Sequence, residues 1–269
     1  MNRIDETFKK LRQEKKKAFI PYITAGDPDL ATSKKVIRSL SDAGADIIEL
    51  GIPFSDPLAD GPTIQNAVKR SLDAGCTVRK VFSMVKALRR SIDTPFVFMT
   101  YYNPVFNFGL EAFCQASLRA GIDGLIIPDL PPEEGAELEA ITNKLKLDLI
   151  YLLAPTSTEE RIATVTERSR GFIYLVSVTG VTGARQALPL ELESFVKRIK
   201  QKATQPLCVG FGISTPEQAR RVASVADGVI VGSHLIRLIE EDATFSSLKA
   251  FVLSLRKALD VKNKDKGVA

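Results

Sequence analysis

The 269-residue sequence predicts an α/β fold, a single (β/α)8 TIM barrel with an extra N-terminal helix. Three observations carry that expectation. Eight short β-rich runs alternate with helical patterns along the whole chain, the arrangement of repeated βα units. The runs are nearly continuous apolar stretches, as parallel strands covered on both faces require. The length is also close to the ~250 residues typical of one such barrel, so residues 1–269 are expected to form one domain.

In chain order, Ile4, Phe8 and Leu11 recur at helical spacing before the first run, giving an extra helix whose apolar face suits the barrel floor. The strand runs follow as "AFIPYIT" (18–24), "DIIEL" (46–50), "PFVFMT" (95–100), "GLIIP" (124–128), "DLIYLLA" (148–154), "FIYLVS" (172–177), "PLCVGF" (206–211) and "GVIVG" (228–232). Three junctions, "DAGADIIEL", "RAGIDGLIIP" and "VASVADGVIVG", each end a helix, turn at a small residue, place an Asp and start a strand. That repetition argues against two unrelated domains. The segment "STPEQARRVASV" has Ser214 or Thr215 as N-cap, Pro216 in the first turn and Glu217 or Gln218 three residues after the cap. Residues 262–269 are expected to be a frayed tail.

With 45% hydrophobic and 26% charged residues, the composition is that of a soluble globular protein. The net charge of +5 comes from "KKLRQEKKK", helix faces and "KNKDK", where bases mix with acids and lack interleaved aromatics. Solvated helix faces account for this better than a nucleic-acid footprint. Cys76, Cys114 and Cys208 are widely spaced and form neither a disulfide framework nor a zinc pattern. The start lacks an apolar leader and no run of 18 apolar residues occurs, so a cytoplasmic, non-membrane protein is expected.

A barrel places its chemistry at the C-terminal ends of its strands. There the second run continues as "DIIELGIPFSDPLADGP", with Glu49 among Ile47, Ile48 and Leu50. Loss of hydration should raise its pKa toward that of a working acid or base. A buried ion pair is the structural alternative, but no strand run supplies a Lys or Arg to form it. Asp60 lies in "LADGP", where an Asp-Gly turn explains it equally well. Tyr22 lies near the end of the first run, Tyr101 and Asn103 just past the third, Asp129 past the fourth, and Tyr174 in the sixth. Glycine-rich segments follow the last three runs: "SVTGVTGAR", "GFGIS" and "VGSHL". The last two are expected to set backbone N–H groups at helix starts, where barrels commonly bind phosphate. A glycine at a βα turn can also simply meet a dihedral need; three on neighbouring strands favour phosphate.

Several chemistries are argued down. The only histidine, His234, cannot build a multi-His metal site, and a Ser-His-Asp triad does not fit its position. No strand run holds the lysine that Schiff-base chemistry needs, and neither dinucleotide nor P-loop glycine patterns occur. Metal-free, cofactor-free acid/base work on a phosphorylated substrate remains.

The segments "PYITAGDPD", "IELGIPFSDPLADGPTIQNA", "NPVFNFG", "VTGVTGAR", "GFGIS" and "VGS", in that order over residues 18 to 233, resemble the tryptophan synthase α subunit family. The resemblance implies cleavage of indole-3-glycerol phosphate into indole and glyceraldehyde 3-phosphate, with Glu49 and Asp60 as catalytic carboxylates and Tyr174 as an active-site tyrosine. It implies phosphate binding at Gly183, Gly212, Gly232 and Ser233, and it sets Tyr22, Tyr101, Phe211 and Thr182 along the pocket and its loops. It further implies no cofactor in this chain, and a partner β subunit carrying pyridoxal phosphate in an α2β2 complex that channels indole. Docking would use the barrel rim at Asp56, Pro57, Asn103 and Phe106. The sequence departs from the pattern where "SVTGVTG" lacks the basic residue that some relatives carry, and where Tyr102 and Pro104 add bulk beside Asn103.

Overall fold

The computed structural model describes residues 2–176, 190–210 and 212–260. The expected frayed tail therefore lies outside the described residues. Nine parallel segments form one sheet: β1 (Ala18–Thr24), β2 (Ile48–Gly51), β3 (Phe96–Met99), β4 (Gly124–Ile126), β5 (Asp148–Ile150), β6 (Leu152–Leu153), β7 (Ile173–Val176), β8 (Leu207–Gly210) and β9 (Gly228–Val231). Their order is β5-β4-β3-β2-β1-β9-β8-β7-β6. The two end segments, β5 and β6, are halves of one predicted run, parted only by Tyr151. The Tyr174 N–H donates to the Tyr151 carbonyl at 3.1 Å, so the ends of the order meet and the sheet is a barrel. Nine segments thus correspond to the eight strand runs of the sequence.

The helices are α1 (Arg3–Glu14), α2 (Leu30–Asp42), α3 (Pro62–Asp73), α4 (Val78–Leu88), α5 (Tyr102–Phe108), α6 (Leu110–Ala120), α7 (Ala136–Leu145), α8 (Glu159–Arg168), α9 (Leu190–Lys200), α10 (Pro216–Val225), α11 (Ser233–Glu241) and α12 (Ser246–Asp260). Between them and the outer face of the sheet lies a large apolar core containing Val36, Leu40, Leu50, Phe98, Phe113 and Leu175. A second cluster fills the barrel itself. Ile20, Ile47, Val97, Ile126, Ile150, Phe172 and Ile230 point inward and meet Ile4, Phe8 and Leu11 of α1. As predicted, α1 plugs the floor with one apolar stripe. Its N-cap Asn2 accepts from the Ile4 and Asp5 N–H groups, and the Asp5 carboxylate accepts in turn from the Asn2 N–H.

The three junction aspartates do the same job at the bottom of the barrel. Each receives the N–H of the first or second residue of the preceding strand in chain order: Asp46 from Phe19 (2.8 Å), Asp123 from Phe96 (2.9 Å) and Asp227 from Leu207 (3.0 Å). Each also donates its own N–H to the carbonyl of that same residue. The pair of bonds fixes the register of one strand on the next below the first ladder rung. Arginines cover two of the carboxylates: Arg256 of α12 lies 2.6 Å from Asp46, and Arg3 and Arg89 lie 2.8 and 3.2 Å from Asp123. Helix ends agree with the sequence too. Thr215 is the N-cap of α10 and forms a capping box with Gln218, with Pro216 in the first turn.

Removing the buried Asp123 acceptor strands the Phe96 N–H and takes the charge partner from Arg89, which keeps only its carbonyl bonds. Asp123→Ala is expected to lower unfolding free energy by about 2–4 kcal/mol. Asp73→Ala, which breaks only an exposed pair with Lys69 on α3, should cost under about 0.5 kcal/mol. Urea titrations of both variants check the contrast.

Candidate active site

Side chains alternate across each strand, so an inward residue recurs every second position. In β2 and the residue before it, this puts Ile47 in the barrel core and Glu49 one layer above it, at the C-terminal mouth. In β1 the same alternation carries Ala18 and Ile20 below and Tyr22 above, and Tyr22 is the register partner of Glu49. Two glycines make room for tyrosines in this upper layer. A Cβ at Gly51 would come within 2.2 Å of the Tyr22 hydroxyl, and one at Gly210 within 2.5 Å of the Tyr174 hydroxyl.

Glu49, Tyr22, Tyr174 and Gly210 line a cavity of about 200 Å³ that also includes Met99, Gly212, Gly232 and Ser233. Glu49 is fully buried, and neither carboxyl oxygen has a hydrogen-bond partner among the described residues. Desolvation, with the Asp60 charge as a smaller contribution, pushes its pKa up to about 8. The ion-pair alternative raised by the sequence fails, and a carboxyl that is protonated in the resting site stands ready to donate. A larger, open depression of about 450 Å³ beside β6, lined by Leu152, Ala154, Ser157 and Arg161 among others, contains no carboxyl group and offers no such acid.

Asp60 sits on the loop between β2 and α3. Its N–H closes a turn on the Pro57 carbonyl at 3.1 Å, but the Asp-Gly turn does not form, since Gly61 is extended (φ −75, ψ 166) and is the N-cap of α3. Its side chain has a separate role: the Tyr101 hydroxyl donates to it at 3.1 Å while accepting the Ala59 N–H at 2.9 Å. One phenol thereby ties the loop to the start of α5. Partial burial raises the Asp60 pKa, and the Tyr101 bond opposes the rise. Tyr22 and Tyr174 are held firmly in their neutral form by burial and by the neighbouring carboxyls.

Of the phosphate segments, "VGSHL" opens a helix as predicted: Gly232 is the N-cap of α11 and no side chain caps it. The segment "GFGIS" does not. The capping box at Thr215 starts α10 three residues past Gly212, so Gly212 serves instead as a left-handed turn, φ +53, with open space where a Cβ would sit. Gly183, Thr182 and Phe211 lie outside the described residues. Sequence reasoning missed Ile64, Met99, Ile213 and Arg237, which also line the cavity. Inward alternation would have found Met99, two residues after Val97. The spacing of four from Ser233 would have found Arg237. Asp129, just past the fourth run, accepts the Tyr102 N–H at 2.8 Å and fastens the start of α5.

A parallel barrel with a protonated, unpartnered carboxyl at its mouth, facing an uncapped helix start, defines an acid–base enzyme of the (β/α)8 class. A model of the family described as "Tryptophan synthase alpha chain" matches residues 8–262. The tryptophan synthase alpha chain of Dehalococcoides mccartyi is 51% identical over 260 residues, 97% of this chain and 100% of that one. That of Geotalea daltonii is 54% identical, covering 90% and 91%. Among solved structures, the Legionella pneumophila alpha chain superposes with a TM-score of 0.90 at 39% identity, covering 98% and 99%. A Mycobacterium tuberculosis tryptophan synthase structure gives 0.90 at 39%, covering 97% and 99%. The chain belongs to the tryptophan synthase alpha chain family. Its reaction is the carbon–carbon cleavage of indole-3-glycerol phosphate to indole and glyceraldehyde 3-phosphate in tryptophan biosynthesis. The family is that of one subunit of a complex with a beta chain. No group of three or more potential metal ligands occurs among the described residues, and no helix there is long and apolar enough to cross a membrane.

The raised pKa of Glu49 has a consequence for stability. Its folded value lies above its unfolded one, so stability is full below the ordinary carboxyl pKa of 4.5 and is lost as pH rises toward about 8. The loss approaches about 1.4 kcal/mol per pH unit across that window. Glu49→Gln removes it. Urea unfolding should show the variant close to the parent at pH 4 and clearly more stable than it at pH 8.

Proposed function

We propose that Glu49 moves the protons of this cleavage and that Asp60 stabilises the charge it creates. The observation that supports this best is the Glu49 carboxyl, buried without a partner at the cavity floor. As the acid, Glu49 protonates indole C3, giving a positively charged indolenine ring whose N–H is held by the Asp60 carboxylate. As the resulting carboxylate, it takes the proton from the glycerol hydroxyl next to the ring. The electrons of the C3 bond return to the ring, indole leaves, and the oxygen becomes the aldehyde of glyceraldehyde 3-phosphate. Every step is a proton transfer or a bond shift within the substrate, so the chemistry needs no cofactor in this chain.

Tyr174 and Tyr22 form the apolar walls for the indole ring, and Tyr101 sets the Asp60 loop. Gly212, Gly232 and Ser233, together with Gly183, hold the phosphate through N–H groups and a hydroxyl. The loops bearing Asp60 and Thr182 close over the substrate and exclude water. The partner is a β subunit that carries pyridoxal phosphate and receives indole through an internal channel in an α2β2 assembly. Leu58 and Phe106, 92% and 62% exposed, give the mouth-side rim the uncovered apolar groups such docking uses. We further infer one domain working in the cytoplasm, without nucleic acid or membrane.

Indole release from indole-3-glycerol phosphate, measured with and without a β subunit, tests the roles. Glu49→Gln should lower kcat by at least ~10²-fold and Asp60→Asn by about 10²–10³-fold, with the parent rate rising when the partner is added. Full activity in Glu49→Gln would sink the proton-transfer assignment.

A further inference from the structure

We propose that Arg237, one turn into α11, is the cation that pairs with the phosphate of the substrate and so helps to select phosphorylated glycerol compounds over their uncharged counterparts. The inference rests on the phosphate reading of Gly232 and Ser233 given above.

The cavity has a charge problem that the other described residues in its lining do not solve. A phosphate monoester brings close to two negative charges at neutral pH. The cavity already has Glu49 in its lining and Asp60 close enough for its charge to act on Glu49, and burial raises the pKa of both. The N–H groups of Gly212 and Gly232 and the Ser233 hydroxyl offer hydrogen bonds but no full charge. Among the described residues, Arg237 is the one Lys or Arg side chain that lines the cavity.

Its place on the helix suits the task. Ser233 is the first residue of α11 and Arg237 follows four residues later, on the same face. Long helical side chains lean back toward the N-terminus, so the surface that Arg237 covers is the turn beginning at Ser233. That turn starts at an N-cap without a side-chain acceptor, leaving its N–H groups open to an anion on which a guanidinium can also close with two parallel bonds.

Arg237 is also uncommitted. Arg70, Arg89, Arg168 and Arg256 each hold a carboxylate within 3.2 Å, whereas Arg237 forms no ion pair or hydrogen bond among the described residues. Its neighbour His234 does not substitute for it. Half-buried, with its ring 4.5 Å from that of Phe251, His234 is held toward its neutral form by burial and by Arg237 itself.

The test compares the full chain with Arg237→Gln and Arg237→Lys by calorimetric titration with glycerol 3-phosphate and, separately, with indole. Steady-state cleavage of indole-3-glycerol phosphate is measured alongside. Arg237→Gln should weaken glycerol 3-phosphate binding about tenfold, the lower end for a charged hydrogen bond at a solvent-screened rim, and raise KM by a similar factor while kcat falls far less. Arg237→Lys should recover most of the loss, since the charge remains, and indole affinity should stay within twofold in both. Glycerol 3-phosphate binding within twofold of the parent in Arg237→Gln would overturn the inference while leaving the phosphate site intact. So would an equal loss of indole affinity, which would mark a structural role. A parent chain that cleaves its substrate yet does not bind glycerol 3-phosphate would overturn the phosphate reading itself, and this inference with it.

Discussion

The rest of the molecule exists around one unfavourable placement, the Glu49 carboxyl held out of water with no partner. Left to itself, such a group would draw water in or turn toward a donor. It finds no donor among the described residues, and both neighbours on the inward face of its strand pair are committed: Ile47 is locked into the barrel core below, and Tyr22 fills the position beside it. Backbone register, rather than any contact made by the carboxyl, keeps it there. An acid of raised pKa therefore depends on a sheet that cannot slip, since a shift by one residue would turn Glu49 outward and Ile48 in.

The devices that prevent slippage lie at the opposite end of the barrel. Asp46, Asp123 and Asp227 each bond one backbone N–H across to the preceding strand, and α1 closes the floor with Ile4, Phe8 and Leu11. Stability is thus concentrated at the bottom and functional strain at the top, the division expected of barrels whose chemistry sits on the C-terminal loops. The bottom has a strained group too. One oxygen of Asp148, at the start of β5, is buried without a partner, and burial pushes its pKa up to about 7. It faces Asn2, Asp5, Asp123 and Arg170 on the floor side, so it belongs to the frame.

Much of this was legible in the sequence because it obeys short-range rules. The repeated Asp before a strand, the helical stripe at Ile4, Phe8 and Leu11, and an acid flanked by isoleucines are all readable in windows of about ten residues. What the sequence hid depends on contacts across the mouth. The hydrogen bonds of Tyr101 to Asp60 and Ala59 join positions about forty residues apart, and no local pattern announces them. The break at Tyr151 was equally silent, because it arises where the barrel closes on itself. The error over "GFGIS" was different in kind. Thr215 and Gln218 were already visible as a capping box, and weighing them would have moved the start of α10 past the glycine.

In the proposed reading, the strand order keeps acid and anion apart within one small cavity. Around the barrel, β2 with Glu49 is followed by β1 with Tyr22, then β9, which leads into Gly232 and Ser233. The tyrosine ring stands between them, its Cδ1 atom 3.2 Å from where a Gly232 Cβ would lie. A substrate whose phosphate rests on α11 must reach around one intervening side chain to bring its reacting carbon to Glu49. A three-carbon chain between ring and phosphate has that reach. The separation also decides the electrostatics. A phosphate lodged directly against Glu49 would raise the pKa of an acid that must give up its proton during turnover. In the proposed reading a phosphate one strand further away, paired with Arg237, would have its charge offset before it is felt at the carboxyl. The glycines at 51, 210 and 232 each clear space for one of the tyrosines between the two poles.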